Sequence, residues 1–275
     1  MKIIVTGASG FLGRALMKYF YQSGIHVVGV SRRYTPGLMQ LASYNDTPGG
    51  DVLVHLAEAS DRAYAQDNEP LYERQALKTL EVLQKKGFSR LVYASSAVLY
   101  GDQGVELRKV GDPVFESDAY TRLKLASERA VLAHGGVVAR LGNLYGPGMA
   151  ESNVLSTILK QVGNGDAVRV LDVTPVRDFL WIADAARALG LMAMGKASGI
   201  FNVGSGQGVS IHELAGVALN AVGCGARTIE ANHVCSGFSR LVLDISQTES
   251  TFGWRPTVNL GDGISTLIKQ LILKE

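Results

Sequence analysis

A chain of 275 residues, 47% of them hydrophobic, can bury a large core, and its 27 basic side chains nearly balance 25 acidic ones. With a formal net charge of only +2 and no long like-charge run there is no strong field to gather nucleic acid or an anionic membrane, and no apolar span is long enough to cross a bilayer. The few residues before Gly7 hold no signal-peptide apolar region, so a cytoplasmic protein is expected.

The first predicted element is a short apolar strand, Ile3 to Thr6, which runs straight into Gly7-Ala8-Ser9-Gly10-Phe11-Leu12-Gly13 and then an amphipathic helix. Leu12, Leu16 and Phe20 share one face of that helix, Gly24 ends it, and His26 to Val30 supplies a second strand. Glycines suit such a turn because the chain must leave the strand tightly, approach a pyrophosphate without a Cβ in the way, and pack helix against strand. The helix N-terminus then meets the phosphates. Gly7, Ser9, Gly10, Phe11, Leu12 and Gly13 are therefore expected to bind a dinucleotide. The second strand ends in Val30-Ser31-Arg32-Arg33, with no acidic residue for a ribose 2′-hydroxyl and two arginines suited to a 2′-phosphate. Ser31, Arg32 and Arg33 favour NADP(H), with NAD(H) as the alternative. The stretch onward to Asp51 is short for a further helix and strand, and Asn45 and Asp46 are candidates for adenine contacts.

Apolar strands follow at Val52 to Leu56, Leu91 to Ala94 and Val137 to Leu141, alternating with helical periods near 70 to 86 and 119 to 133. That alternation predicts an α/β fold, a Rossmann-type doubly wound parallel sheet. After Gly146-Pro147-Gly148 the pattern loosens into a helix near 153 to 163, a short strand near 168 to 171, helices near 182 to 194 and 210 to 222, and a last helix from about 262. Residues 1–150 are expected to form the dinucleotide-binding domain and 151–275 a smaller C-terminal substrate lobe, with some later segments returning to the main sheet. Two cysteines, Cys224 and Cys235, have neither the number nor the spacing of a disulfide framework or zinc site, and no metal is expected.

Tyr120 and Lys124 stand one helical turn apart and project from the same helix face. An unperturbed tyrosine, with a pKa near 10, is a poor base at neutral pH, and a nearby cation stabilises its phenolate. The pair follows a strand that ends in Ser95-Ser96, at the carboxyl edge where open α/β sheets build their sites.

With these elements in order, the chain resembles the extended short-chain dehydrogenase/reductases, and within them the nucleotide-sugar epimerases, dehydratases and ketoreductases. The resemblance spans nearly the whole chain: besides the glycine loop it rests on Asp51 to Ala57, Ala94 to Gly101, the Tyr120/Lys124 pair, Arg140 to Gly148, Arg177-Asp178-Phe179, Phe201 to Gly206, and Phe252 to Pro256. It implies that Tyr120 is the catalytic acid/base, that Lys124 tunes it and holds the nicotinamide ribose, and that Ser96 bonds the reacting oxygen. Leu56 and Ala57 would line the cofactor, Ser95 would be structural, and His55 a buried strand-end residue beside the site. Asn143, Arg177 and Arg240 would bind the substrate, a nucleotide sugar by family expectation, and a homodimer is implied.

Several positions depart from the family pattern. Dehydratases carry an Asp-Glu pair after the catalytic hydroxyl residue; here stand Ala97 and Val98, so a 4,6-dehydratase ranks low. Glu58 follows Ala57 where a small residue is common, and Gln75 replaces a usual Asn. Val234 to Gly237 replaces a segment that usually brings an arginine to the substrate diphosphate. The leading expectation is a 4-ketoreductase or 4-epimerase of a nucleotide-linked sugar. A carbonyl reductase for a substrate without a nucleotide, and a non-catalytic dinucleotide-binding protein, stay open.

Overall fold

The computed structural model describes residues 1–58, 62–163, 165–233 and 237–272. Cys235 and most of the segment from Val234 to Gly237 lie outside the described residues. In chain order the elements are β1 (Ile3–Thr6), α1 (Phe11–Gln22), β2 (Val27–Ser31), β3 (Met39–Gln40), β4 (Val52–His55), α2 (Arg62–Asp67), α3 (Leu71–Gln84), β5 (Arg90–Ser96), α4 (Ala119–Ala133), β6 (Val137–Leu141) and β7 (Asn143–Tyr145). There follow α5 (Val154–Leu159), β8 (Ala167–Val170), β9 (Val176–Trp181), α6 (Ile182–Met194), β10 (Gly199–Val203), β11 (Gly208–Ser210), α7 (Ile211–Ala221), β12 (Thr228–Ala231), β13 (Arg240–Leu241), α8 (Ser246–Phe252) and α9 (Leu260–Ile272).

One parallel sheet of seven strands, ordered β10-β6-β5-β4-β1-β2-β3, carries the first lobe. Both faces of β1 are buried, which is why Ile3, Ile4 and Val5 are apolar in succession rather than alternating with polar residues. Ile3 and Val5 point to the layer containing Leu16 and Phe20 of α1 and Leu189 and Met192 of α6. Ile4 points to the opposite layer, with Leu80 and Leu83 of α3 and Val131 of α4. This is the doubly wound Rossmann arrangement. The sheet's shortened edge is β3, two residues long, which explains why so little chain separates β2 from β4.

The second lobe contains a four-stranded sheet built on β9, with β11 antiparallel to it and β7 and β13 parallel, and a two-stranded pair of β8 and β12. Helices α5, α7 and α9 close its core around Leu155, Ile158, Leu214, Leu219 and Ile264. The helix expected over 153 to 163 stops at Leu159. Gln161 leaves the helical path because its side-chain amide donates to the Arg169 carbonyl and its Oε1 accepts from the Arg169 amide, both at 2.9 Å. Arg227 takes up the Gln161 and Val162 carbonyls that the ended helix leaves open, at 3.0 and 2.8 Å. The lobes are interleaved in sequence: α6 and β10 lie after 150 yet pack on and extend the main sheet.

Candidate active site

The glycine loop crosses from β1 to α1 with Gly7 at φ +70°, and a Cβ there would stand 2.7 Å from the Leu56 carbonyl oxygen. At Gly13 a Cβ would fall 2.2 Å from the Gly7 oxygen, so only glycine lets α1 seat against the turn. Gly10 caps α1 without a side-chain hydrogen bond, leaving the amides of the first turn open to an anion. Beside it, the hydroxyls of Ser9 and Ser31 are hydrogen-bonded at 2.7 Å, the Arg33 amide donates to Ser31 Oγ at 3.1 Å, and the Arg32 guanidinium lies 5.3 Å from the Tyr44 ring centre. These residues line a cavity of about 410 Å³ with Leu56 and Ala57. A smaller adjoining cavity is lined by Arg32, Tyr44, Asn45, His55 and Gln75, and Asn45 Oδ1 is buried among the described residues with no hydrogen-bond partner. The open helix N-terminus, the glycine cradle and the unpaired acceptor are the features a dinucleotide requires, and the residues present fit it.

The second half of the groove, about 570 Å³, is lined by Gly7, Gly10, Phe11, Leu12, Gly13, Leu56, Ser96, Tyr120, Lys124 and Asn143 among others. Ser96 ends β5 and its Oγ accepts from the Val98 amide at 3.3 Å, which turns the chain into a short 3-10 segment. Tyr120 and Lys124 lie in the first two turns of α4, which is fixed by a reciprocal cap between Asp118 and Thr121. Among the described residues, the Tyr120 hydroxyl has no protein hydrogen bond. Lys124 is almost wholly buried; its Nζ donates to Glu58 Oε2 at 3.1 Å and to the Ala94 carbonyl at 3.0 Å, and lies 5.7 Å from the Tyr120 ring centre.

Glu58, to which no role could be assigned from sequence, lies at the centre of this arrangement. Its side chain is 3% exposed, and it also accepts from the Tyr93 hydroxyl at 2.5 Å and from Ser127 Oγ at 2.9 Å. Burial alone would push the carboxyl up, but the charge of Lys124, with His55 and the hydrogen bonds from Tyr93 and Lys124, holds it below the usual carboxylate range. For Lys124, burial acts downward and the Glu58 charge overrides it, so the ammonium stays well above its ordinary value. The pair is ionised. His55, 2% exposed, is hydrogen-bonded through Nδ1 to the Thr6 hydroxyl at 2.7 Å. Desolvation, the largest influence, together with Lys124 lowers its pKa to about 4 against the opposing pull of Glu58, so the ring is neutral at pH 7.

Ser95 also borders the groove, but its hydroxyl is spent inside the protein, donating to Glu128 Oε1 at 2.5 Å; Glu128 in turn receives Arg140 through both oxygens, at 3.0 and 2.7 Å. Asn143 lies in the same groove as Tyr120, whereas Arg177 and Arg240 do not line it. Arg177 borders an adjoining cavity of about 650 Å³ with Arg62, Tyr100, Asp102, Arg108 and Phe115. Arg177 is held by Asp102 Oδ2 at 3.1 Å and Ser239 Oγ at 2.7 Å, and not by its neighbour Asp178. Asp178 is buried and accepts from the amides of Ser205, Gly206 and Leu243, joining three segments. Arg240 contributes its amide to the Asp102 carbonyl, and its Nε is buried without a partner among the described residues. Arg62 and Val98 line both cavities and connect them. Arg62 escaped the sequence reading because it lies in a polar helix remote from any recognised motif.

A parallel sheet ending in a glycine cradle, with a tyrosine, a lysine and a serine gathered in the groove above it, defines an NAD(P)-dependent enzyme of the extended short-chain dehydrogenase/reductase type. The chain belongs to the NAD dependent epimerase/dehydratase family, whose model matches residues 3–204. It is 28% identical to a GDP-6-deoxy-D-mannose reductase of Pseudomonas aeruginosa, over 97% of this chain and 96% of the relative. To a putative UDP-glucose 4-epimerase of Methanocaldococcus jannaschii it is 24% identical, over 97% of each chain. Among solved structures, MoeE5 in complex with UDP-glucuronic acid and NAD superimposes with a TM-score of 0.86 at 26% identity, covering 100% of both chains. No described helix is long and apolar enough to cross a membrane, and no group of His, Cys, Asp and Glu among the described residues could hold a metal.

Proposed function

We propose that this protein is a ketoreductase that reduces the 4-keto group of a nucleotide-linked sugar with NADP(H). The observation that carries the reading is the gathering of Ser96, Tyr120 and Lys124 in one groove with the glycine loop. Gly7, Gly10, Phe11, Leu12 and Gly13 would hold the pyrophosphate; Ser9, Ser31, Arg32 and Arg33 the ribose phosphate; Asn45 the adenine; Leu56, Ala57 and Lys124 the nicotinamide end. Bound there, a nicotinamide supplies or accepts hydride. As hydride reaches the keto carbon, negative charge grows on the oxygen, which Tyr120 protonates while the Ser96 hydroxyl donates a hydrogen bond to it. The carbonyl becomes an alcohol, and the phenol regains its proton from solvent. Asn143 would orient the sugar. Arg177, with Arg62 and Arg108 around the adjoining cavity, offers guanidinium groups suited to diphosphate oxygens, whereas Arg240 lines neither cavity.

Ala97 is buried and Val98 faces both cavities, so neither supplies a carboxylate for eliminating water. That supports reduction over dehydration. A 4-epimerase is the second reading, favoured by the likeness to a putative UDP-glucose 4-epimerase. Mass spectrometry of the dinucleotide released on denaturation separates the two: retained NAD⁺ supports an epimerase that recycles its cofactor, and NADP(H), or an empty site that takes up NADPH, supports the reductase. Competition by UDP, dTDP, GDP and CDP then tests the nucleotide, since a nucleotide-sugar site is inhibited by at least one of them. Tyr120→Phe is expected to fold and bind dinucleotide yet lose at least about two orders of magnitude in turnover, the scale of a lost general acid. Full activity in that variant would remove Tyr120 from the mechanism.

A further inference from the structure

The mechanism above leaves one buried charge in the groove without a task. Glu58 stands just beyond β4 and uses both carboxylate oxygens inside the protein: Oε2 receives Lys124 Nζ at 3.1 Å and the Tyr93 hydroxyl at 2.5 Å, and Oε1 receives Ser127 Oγ at 2.9 Å. Two of the three N–H groups of the Lys124 ammonium are thereby spent, one on Glu58 and one on the Ala94 carbonyl. The ammonium is consequently paired before any ligand arrives. The aromatic rings of Tyr93 and Tyr120 stand 4.8 and 5.7 Å from it.

We propose that Glu58 is a positioning residue that fixes the Lys124 ammonium and offsets its field at Tyr120, keeping the phenol in its proton-donating form and biasing the site towards carbonyl reduction. The inference rests on the reading of Tyr120 as the acid. A lysine with no counter-ion at this distance stabilises a phenolate and favours proton removal from an alcohol; a lysine already neutralised by a carboxylate does so much less. The other titratable groups around the pair do not duplicate this effect. His55 on β4 is buried and neutral, Tyr93 on β5 is kept protonated by burial and by Glu58, and Arg62 on α2 is engaged by Asp118. Only Glu58 therefore opposes the lysine charge among the described residues of the groove.

The test reads the phenol directly, without substrate. The near-ultraviolet phenolate absorbance of Tyr120 is isolated as the difference between the parent protein and Y120F, and again between E58Q and E58Q/Y120F. The expected result is an onset of Tyr120 ionisation at a lower pH in E58Q than in the parent, the direction for an acid relieved of a nearby negative charge. The alkaline limb of the pH profile for carbonyl reduction moves down with it. Y93F removes a hydrogen bond but keeps the Glu58 charge, and is expected to leave the onset in place or raise it. An onset that stays or rises in E58Q, or that falls equally in Y93F, overturns the proposal. If E58Q does not fold, E58A also removes the carboxylate charge and is held to the same expectation. Failure of the underlying reading is distinguishable, because Y120F then keeps its turnover whatever the titration shows.

Discussion

His55 is buried beside the ion pair in its neutral form, and that has a measurable cost in acid. Its pKa falls from the ordinary imidazole value of 6.5 to about 4 in the folded protein. The unfolded chain thus binds a proton below pH 6.5 that the native state refuses until about pH 4, and stability declines as pH falls through that window. The loss reaches roughly 3 kcal/mol at its acid end by proton linkage. Urea unfolding at pH 7 and pH 4.5 would show the decline, and His55→Asn, with no imidazole to charge, is expected to lose less over the same interval. An equal loss in both proteins would assign the decline to other groups. The Tyr120/Lys124 pair was legible in the sequence because four residues on a helix fix their relation. Glu58 and Lys124 are 66 positions apart, and their contact exists only because β4 and β5 pair with His55 opposite Tyr93. Spacing along a chain carries no sign of that.

Among the elements, β9 shows how a functional-looking pattern can be divided between two tasks. Arg177 faces a cavity, while Asp178 turns inward and anchors the amides of Ser205, Gly206 and Leu243. Asp178→Ala leaves those buried donors without their acceptor and is expected to cost about 3 kcal/mol or more. A fall in urea midpoint with unchanged affinity for NADPH is the expected pattern, and a variant of parental stability would refute it. Asp184 plays the corresponding part on α6, accepting from the amides of Thr257 and Val258 at 3.0 Å each, while its carbonyl accepts from Trp254 Nε1 at 3.0 Å. The longer helices were readable from periodicity, whereas the short α2 and α8 were not. Strands β9 and β10 were not, since Arg177, Asp178 and the buried Asn202 interrupt their apolar runs. Asn202 is tolerated inside because Tyr100 donates to its Oδ1 at 2.7 Å and its amide nitrogen reaches the Arg108 and Asp244 carbonyls.

For the whole molecule, the doubly wound sheet followed from the alternation of elements, but the way the second lobe is threaded did not, because crossings depend on which strand edges remain unpaired. A fragment of residues 1–150 keeps six strands of the main sheet yet loses β10 and the α6 layer that covers Ile3 and Val5. It is expected to lack a cooperative unfolding transition, measurable by circular dichroism in urea; a sharp transition would show the fragment to be self-sufficient. The chain leaves the first lobe after β6, returns for α6 and β10, leaves again for β11 to β13, and returns once more with α8. Several separate stretches of backbone therefore span the boundary where the groove lies. Two bodies sewn together at several points lack the freedom to swing about one hinge, since a large rotation would stretch some seams while slackening others. The reacting groups on the floor of the groove are thus arranged by the fold itself, and the entropy of arranging them is spent once, during folding.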